Sequence, residues 1–165
     1  MDLYEVSDDY IKYLKKYDQR VLDNHFIAHN RKYIGIKIIL NNKNYYLPLS
    51  HPDKTDFVNG KPRKSVIPIF RIITNKGRLL GKVLINNMIP VPTSELTYYD
   101  VNQESDINYK NLVLMERRIL QANKKTIINN ARILYNQKIS GVNYPYLNAT
   151  VDFTRLESAC DAYCN

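Results

Sequence analysis

The sequence contains no tryptophan and only two cysteines, five glycines and three methionines among its 165 residues. Cys160 and Cys164 are too few for a disulfide framework, and free thiols are typical of a reducing compartment. No apolar run approaches the length of a membrane span, and the first residues do not show the basic and then apolar segments of a secretion signal. We therefore expect a soluble, cytoplasmic protein that has no membrane partner.

Acidic residues are also scarce. Only 16 Asp and Glu oppose 24 Lys and Arg, which gives a formal charge of +8 and a sequence pI of about 9.4. An excess of this size predicts a polyanionic partner such as a nucleic acid. The chain is long enough for one sizeable core, and no Gly/Ser-rich or Pro-rich linker divides it, so we expect a single domain over residues 1–165.

The order of hydrophobic patterns predicts an α+β fold. A short strand over 3–6 is followed by Ser7 as a helix N-cap and by a first helix to about Asp18. Segments rich in β-branched residues then predict a hairpin of strands 33–40 and 45–49. Further strands are expected at 66–73, 78–85, 88–92 and 96–101, and together they would form a strongly bent antiparallel sheet.

The C-terminal third changes to a helical period. Apolar residues recur at helical spacing from 107 to 139, Asn123 is expected to divide this segment into two helices, and a last helix is expected to begin at Asp152. Only Glu116 opposes the many basic residues of 107–139. Such a face is either simply solvated or a contact surface for nucleic acid, and the fourteen tyrosines either pack in the core or stack on unpaired bases.

The most reactive side chains lie together after the second hairpin strand, in the segment Ser50-His51-Pro52-Asp53-Lys54. Pro52 fixes its own φ and favours an extended His51, so these side chains leave the strand in a stiff bend. An ordinary loop is the alternative, and a Ser-His-Asp hydrolase triad is excluded because adjacent residues rarely aim their side chains at one another. The polar run continues as one long loop to Ser65, and loops of this length in compact domains are usually functional or disordered.

Two other groups of residues give weaker signals. His25 and His29, together with Cys160 and Cys164, form two pairs of potential zinc ligands, but neither spacing matches a known zinc motif. Lys76-Gly77 lacks the glycine spacing of a phosphate-binding loop and predicts a hairpin turn instead. We therefore expect neither a metal nor another cofactor.

Several motifs stand at characteristic separations along the chain. Arg31 stands two residues before Tyr33-Ile34-Gly35, residues 45–52 are Y-Y-L-P-L-S-H-P, and 81–86 lead into Met88-Ile89-Pro90. Together these motifs resemble the ToxN/AbiQ family, the ribonuclease toxins of type III toxin–antitoxin systems. The resemblance extends from the N-terminus to the last helix. It implies a single domain similar to the MazF and Kid toxins, in which helices flank a curved antiparallel sheet.

The resemblance also implies an activity and partners. The chain would cut cellular or phage mRNA at specific sequences without metal, leaving 2′,3′-cyclic phosphate and 5′-hydroxyl ends, and would defend against phage by abortive infection. A structured, repeated RNA antitoxin would inhibit it within a closed ring of alternating protein and RNA, whereas the protein alone would be a monomer. A basic RNA-binding module without catalysis remains the alternative.

Metal-free RNA cleavage needs a base, an acid and a cation near the scissile phosphate. By resemblance, Ser50 and Arg31 match family positions. The family continues with a second serine, a proline and a lysine, whereas these positions hold His51, Pro52 and Asp53 here, with Lys54 one position later. Imidazole transfers protons near neutral pH, lysine and arginine balance phosphate charge, and Asp53 would orient His51 or hold Lys54. The predicted catalytic residues are Ser50, His51, Asp53, Lys54 and Arg31, and the predicted RNA contacts are Lys32, Tyr33, Lys61, Arg63, Lys64, Lys82, Lys110, Arg117 and Arg118.

Overall fold

The structure, a computed structural model, describes residues 1–26 and 29–164, and the side chains of all of these except 25–26, 29–30 and 35–39. The strands of this part of the chain are β1 (Asp2–Val6), β2 (His25–Phe26), β3 (His29–Asn30), β4 (Tyr33–Leu40), β5 (Lys43–Ser50), β6 (Phe57–Val58), β7 (Lys61–Pro62), β8 (Ile69–Ile73), β9 (Leu79–Leu84), β10 (Ile89–Pro90) and β11 (Leu96–Tyr98). Its α-helices are α1 (Asp8–Lys15), α2 (Ile107–Ala122), α3 (Lys124–Ser140) and α4 (Phe153–Cys164). The predicted α+β fold is confirmed.

An antiparallel sheet of seven strands forms the centre of the molecule, in the order β11-β1-β4-β5-β9-β8, with β10 paired to β5. The predicted hairpin is β4–β5. Its turn is Asn41-Asn42, both with positive φ (49° and 58°), as the two-residue turns of twisted hairpins require. Strand β5 therefore begins at Lys43, two residues before the predicted start. The register of the hairpin shifts between Ile34 and Ile38, an irregularity of the kind that bends a strand.

The helix boundaries follow from local capping. The Ser7 side chain accepts a hydrogen bond from the Tyr10 N–H (3.2 Å), which confirms the predicted start of α1. Asn123 separates α2 from α3 as predicted, and its side-chain amide donates to the Ile119 carbonyl (2.8 Å). Asp152 accepts from the Arg155 N–H (3.0 Å) at the start of α4. None of the helices in residues 1–26 and 29–164 is long and apolar enough to cross a bilayer.

The core lies between the sheet and the helices and contains a buried carboxylate that the sequence did not indicate. Glu157 on α4 is 5% exposed and accepts hydrogen bonds from the hydroxyls of Tyr45 (2.6 Å) and Tyr135 (2.7 Å). The Asn41 amide donates to its other oxygen (2.8 Å). Because these partners come from β5, α3 and the hairpin turn, Glu157 joins α4 to the central hairpin.

The prediction of one long loop from His51 to Ser65 was wrong. A single 3₁₀ turn (Lys54–Asp56) is followed by the small hairpin β6–β7, in which Val58 pairs with Lys61. Its turn is Asn59-Gly60, with φ of 49° and 72°. Asn-Gly is a strong hairpin signal, but strands of two residues carry no alternating apolar pattern by which the flanking segments could be recognised.

Candidate active site

The predicted polar bend is built on the end of the central hairpin. Ser50 is the last residue of β5 and pairs with Lys82 on β9. The chain then turns at Asp53, whose carboxylate accepts from the Thr55 N–H (2.8 Å), while the Asp56 carboxylate accepts from the Asp53 N–H (3.0 Å). This reciprocal capping box gives the bend one fixed conformation.

Beneath the bend, two carboxylates and two cations form a network. Lys82 Nζ lies 2.6 Å from Asp53 Oδ2 and 2.6 Å from Asp56 Oδ2, and Arg71 Nε lies 3.0 Å from Asp56 Oδ1. Asp56 is 1% exposed, so its charge is tolerated only because it is paired. Asp56 and Arg71 were not among the predicted site residues, although an Asp three residues after Asp53 is the spacing of a capping box.

This network determines the role of Asp53. The hydrogen bonds from Lys82 and from Thr55 hold the pKa of the Asp53 carboxyl far below its ordinary value. Asp53 is therefore a permanent anion at neutral pH and the ion-pair partner of Lys82. We had expected Asp53 to orient His51 or to hold Lys54. The ion pair with Lys82 gives Asp53 a different role in the structure.

A cleft of about 40 Å³ lies beside the bend, between the central hairpin and α2. Its walls bring together three predicted catalytic residues from distant parts of the sequence. The residues that line it are Leu3, Arg31, Lys32, Leu49, Ser50, His51, Tyr109, Leu112, Val113 and Glu116.

Arg31 is fixed in the wall of this cleft. Its Nε donates to the Asp23 carbonyl (2.9 Å) and its Nη1 to the Leu49 carbonyl (2.9 Å). Burial lowers the pKa of Arg31 from its ordinary value, but a guanidinium remains charged in proteins. The cleft therefore presents a positive charge that does not need to be repositioned when an anion enters.

Glu116, on α2, was noted in the sequence only as the one acid among the basic residues of 107–139 and was not a predicted site residue. It is 9% exposed and lies on the buried face of the helix with Val113 and Leu120. A Cβ at Gly81 of β9 would lie 2.3 Å from Glu116 Oε1, so this carboxyl would have to move if position 81 carried a side chain. Burial raises the pKa of Glu116 to about 7. The sequence did contain a signal, since positions 113, 116 and 120 share a helix face.

Comparison with known proteins decides the family. The chain matches the family described as "Toxin ToxN, type III toxin-antitoxin system" over residues 2–161. It belongs to the ToxN family. It is 28% identical over 167 residues to Endoribonuclease ToxN of Bacillus thuringiensis subsp. kurstaki, covering 97% of this chain and 82% of that protein. It is also 28% identical over 169 residues to Endoribonuclease AbiQ of Lactococcus lactis subsp. lactis, covering 97% of this chain and 87% of AbiQ.

Solved structures support the same fold. A chain from the solved structure of a bacterial type III toxin–antitoxin system, described as selective toxin inhibition by a non-coding RNA pseudoknot, is 27% identical and has a TM-score of 0.85 over 99% of this chain and 98% of that one. The structure of AbiQ, described as a lactococcal anti-phage endoribonuclease of a type III system, is 24% identical with a TM-score of 0.84, covering 99% of this chain and 97% of AbiQ.

In this ToxN-family chain the cleft unites Arg31, Ser50 and His51, but not all of the predicted catalytic set. Asp53 and Lys54 are absent from the residues that line it. Lys54 is exposed and begins the 3₁₀ turn, and in the part of the chain described its side chain makes no hydrogen bond or ion pair. The structure thus separates Lys54 from the cleft, in contrast to the predicted single cluster.

Three predicted RNA contacts of the ToxN-family chain are buried, and these assignments are corrected. Tyr33 is 1% exposed and has no free ring face for a base. Lys32 is 7% exposed, forms an ion pair with Glu5, and lies 4.1 Å from the centre of the Tyr99 ring. Lys82 is engaged by Asp53 and Asp56, so phosphate would have to displace two carboxylates to reach it.

The remaining predicted RNA contacts lie at the surface. Lys61, Arg63, Lys64 and Arg118 are exposed. Lys110 and Arg117 are half-buried, and they donate to the carbonyls of Asn102 (2.7 Å) and Met1 (3.3 Å) respectively. The charge of Lys110 remains accessible because a carbonyl does not neutralise a cation. Arg117 also forms a surface ion pair with Asp2 (4.0 Å), with which an RNA phosphate would have to compete.

The zinc alternative receives no support from the described residues, in which no three potential ligands meet. Cys160 is buried and Cys164 exposed, and both are free thiols. The side chains of His25 and His29 lie outside the described set.

Proposed function

We propose that this chain is an endoribonuclease toxin that an RNA antitoxin inhibits and that acts in defence against phage. Two curated relatives are named endoribonucleases, AbiQ is described as anti-phage, and a similar structure of a type III toxin–antitoxin system is described as selective toxin inhibition by a non-coding RNA pseudoknot. The observation that carries the proposal is the cleft in which Arg31, Ser50 and His51 lie together. A cation, a hydroxyl and an imidazole are the groups that metal-free RNA cleavage uses.

In the proposed reaction, the scissile phosphate enters the cleft beside the Arg31 guanidinium, which balances the charge that develops on the phosphorus oxygens. The ribose 2′-oxygen attacks phosphorus, the bond to the 5′-oxygen breaks, and the products are a 2′,3′-cyclic phosphate and a 5′-hydroxyl. His51 transfers one of the two protons, and the Ser50 hydroxyl donates a hydrogen bond to the phosphate. The substrate class is cellular or phage mRNA in the cytoplasm, cut at specific sequences.

The antitoxin is proposed to be a structured repeat RNA that binds the exposed cations Lys61, Arg63, Lys64 and Arg118 through its phosphates. Such contacts weaken steeply with salt because counterions are released on binding. We also propose that protein and RNA alternate in a closed ring and that the free protein is a monomer. The fold is proposed to be similar to that of the MazF and Kid toxins.

The test is expression without the antitoxin RNA, followed by mapping of RNA ends. Wild-type protein is expected to arrest growth and to leave cyclic phosphate and 5′-hydroxyl ends, in chelator as well as in buffer. His51→Ala is expected to abolish both effects while RNA affinity and thermal stability stay close to wild type, because an exposed side chain contributes little to folding.

Two outcomes would contradict the proposal in different ways. A wild-type protein that binds RNA but neither arrests growth nor cuts RNA would favour the non-catalytic module. Full cleavage by His51→Ala would retain the endoribonuclease but remove the proton transfer from His51.

A further inference from the structure

Glu116 is a titratable group of the cleft that the proposed reaction leaves without a role. That reaction needs two proton transfers, and His51 supplies one of them. We propose that the Glu116 carboxylate is the general base that takes the 2′-hydroxyl proton, and that His51 is the acid that protonates the 5′-oxygen. This inference rests on the proposed endoribonuclease function and extends it by one catalytic residue.

The first argument is position. Glu116 lines the same cleft as Arg31, Ser50 and His51, although it comes from a helix distant in sequence. A Cβ at Gly81 would approach Glu116 Oε1 to 2.3 Å and the Ser50 carbonyl oxygen to 3.2 Å. The carboxyl therefore lies close to the backbone of Ser50. The missing side chain of Gly81 creates the space that the carboxyl occupies.

The second argument is that the described cations around Glu116 are engaged elsewhere. In the cleft, Lys32 pairs with Glu5, and Arg31 donates to two carbonyls. On β8 and β9, Arg71 and Lys82 pair with Asp56 and Asp53. The other titratable groups of the cleft wall are His51 and Tyr109.

Among the described residues, no hydrogen bond or ion pair joins Glu116 to any of these four cations. A buried carboxyl without a fixed cation is in equilibrium between its charged and neutral forms near pH 7, where burial places its pKa. A general base is most effective under this condition, because a large fraction is deprotonated and it still has appreciable proton affinity.

The proposed step balances as follows. The Glu116 carboxylate accepts the 2′-hydroxyl proton while the 2′-oxygen forms its bond to phosphorus. The bond from phosphorus to the 5′-oxygen breaks, and the 5′-oxygen takes a proton from the His51 imidazolium. Glu116 ends neutral and His51 ends neutral, and exchange of one proton between them through water restores both.

The experiment is single-turnover cleavage of one defined transcript that the wild-type protein cuts, compared with Glu116→Gln and Glu116→Asp. Glu116→Gln keeps the size of the side chain but cannot accept the proton, so a loss of roughly 100-fold or more in rate is expected, with RNA affinity within about twofold. Glu116→Asp should retain part of the rate. The wild-type rate should follow a bell-shaped pH profile, rising as Glu116 loses its proton near pH 7 and falling where the acid His51 loses its own, and Glu116→Gln should lose the rising limb.

Two further variants separate catalysis from structure. Gly81→Ala would displace the carboxyl without removing it, so it should slow the wild-type protein strongly and add little to the loss in Glu116→Gln. Glu157→Gln is the matched control, because Glu157 is also a buried glutamate (5% exposed) but lies in the core beside Tyr45 and Tyr135. The folded fraction of that variant should cut RNA at the wild-type rate.

If the wild-type protein cuts the transcript and Glu116→Gln cuts it within about threefold of the same rate, with the same pH profile, this inference is overturned. The proposed function is then left intact. A wild-type protein that cuts no RNA would overturn the proposed function itself. A 100-fold loss in Glu116→Gln that leaves the shape of the pH profile unchanged would assign Glu116 a positioning role and would also overturn the inference.

Discussion

The buried carboxyl of Glu116 should make the stability of the folded protein depend on pH, and Glu116→Gln should remove this dependence. The pKa of Glu116 is about 7 in the folded protein, against 4.5 for an unperturbed glutamate, because burial disfavours the charged form. The folded state therefore binds the proton more tightly than the unfolded state. Its stabilising effect is complete below pH 4.5 and is lost as the pH rises through about 7.

The magnitude follows from the two pKa values. Each tenfold change in an acid dissociation constant is worth about 1.4 kcal/mol, so the difference between about 7 and 4.5 corresponds to roughly 3 kcal/mol. The wild-type free energy of unfolding should fall by up to this amount, relative to Glu116→Gln, between pH 4.5 and pH 8. A stability of 5 to 15 kcal/mol is ordinary for a domain, so an effect of about 3 kcal/mol is easily measured.

The assay is urea unfolding of both proteins at a series of pH values from 4.5 to 8, in the absence of RNA. All titrating groups other than Glu116 are common to both proteins and cancel in the difference. The amide introduced by Glu116→Gln adds an offset that does not depend on pH. The test is therefore how the difference in the free energy of unfolding between the two proteins changes with pH. A difference that stays constant within about 0.5 kcal/mol over this range would refute the reasoning, because it would mean that Glu116 is solvated in the folded state.

Two further predictions concern the bend. Asp56→Ala should destabilise the protein by about 3–5 kcal/mol in denaturant unfolding, because it leaves the buried charges of Lys82 and Arg71 with fewer partners, and a loss below about 1 kcal/mol would contradict the network. Lys54→Ala and Lys64→Ala should weaken RNA binding to a similar small extent and reduce the salt dependence by about one counterion each, because both side chains are exposed. A loss of cleavage that is far larger for Lys54→Ala would instead restore Lys54 to the catalytic set.

Local structure was predictable wherever neighbouring residues determine it. Ser7, Asn123 and Asp152 satisfy or interrupt helical hydrogen bonds within one turn of their own position, so these helix boundaries follow from short-range chemistry. The central hairpin follows from two strands of high β propensity around an asparagine turn that tolerates positive φ. The basic character of the chain likewise needs no structure, since it is a sum over residues.

The active site was predictable only in part, because its contacts join residues far apart in the chain. Ser50 and His51 are neighbours in sequence, and the family motif placed Arg31 with them. No local pattern indicates that Lys82 pairs with Asp53 across 29 positions, or that Gly81 makes room for Glu116. Both facts depend on which strands lie side by side and on which face of α2 rests upon them.

The sequence alone determined the order of the main elements, the helix starts that local caps define, the charge and the family, because these depend on local hydrogen bonding, composition and motif order. Only the tertiary structure decided which charges are neutralised and which carboxyl faces the cleft. The physical reason is that ion pairing and burial act through space. Lys82 is neutralised by Asp53 and Asp56 only after β9 has paired with β5, and Glu116 becomes a proton-exchanging group only after α2 has removed it from water.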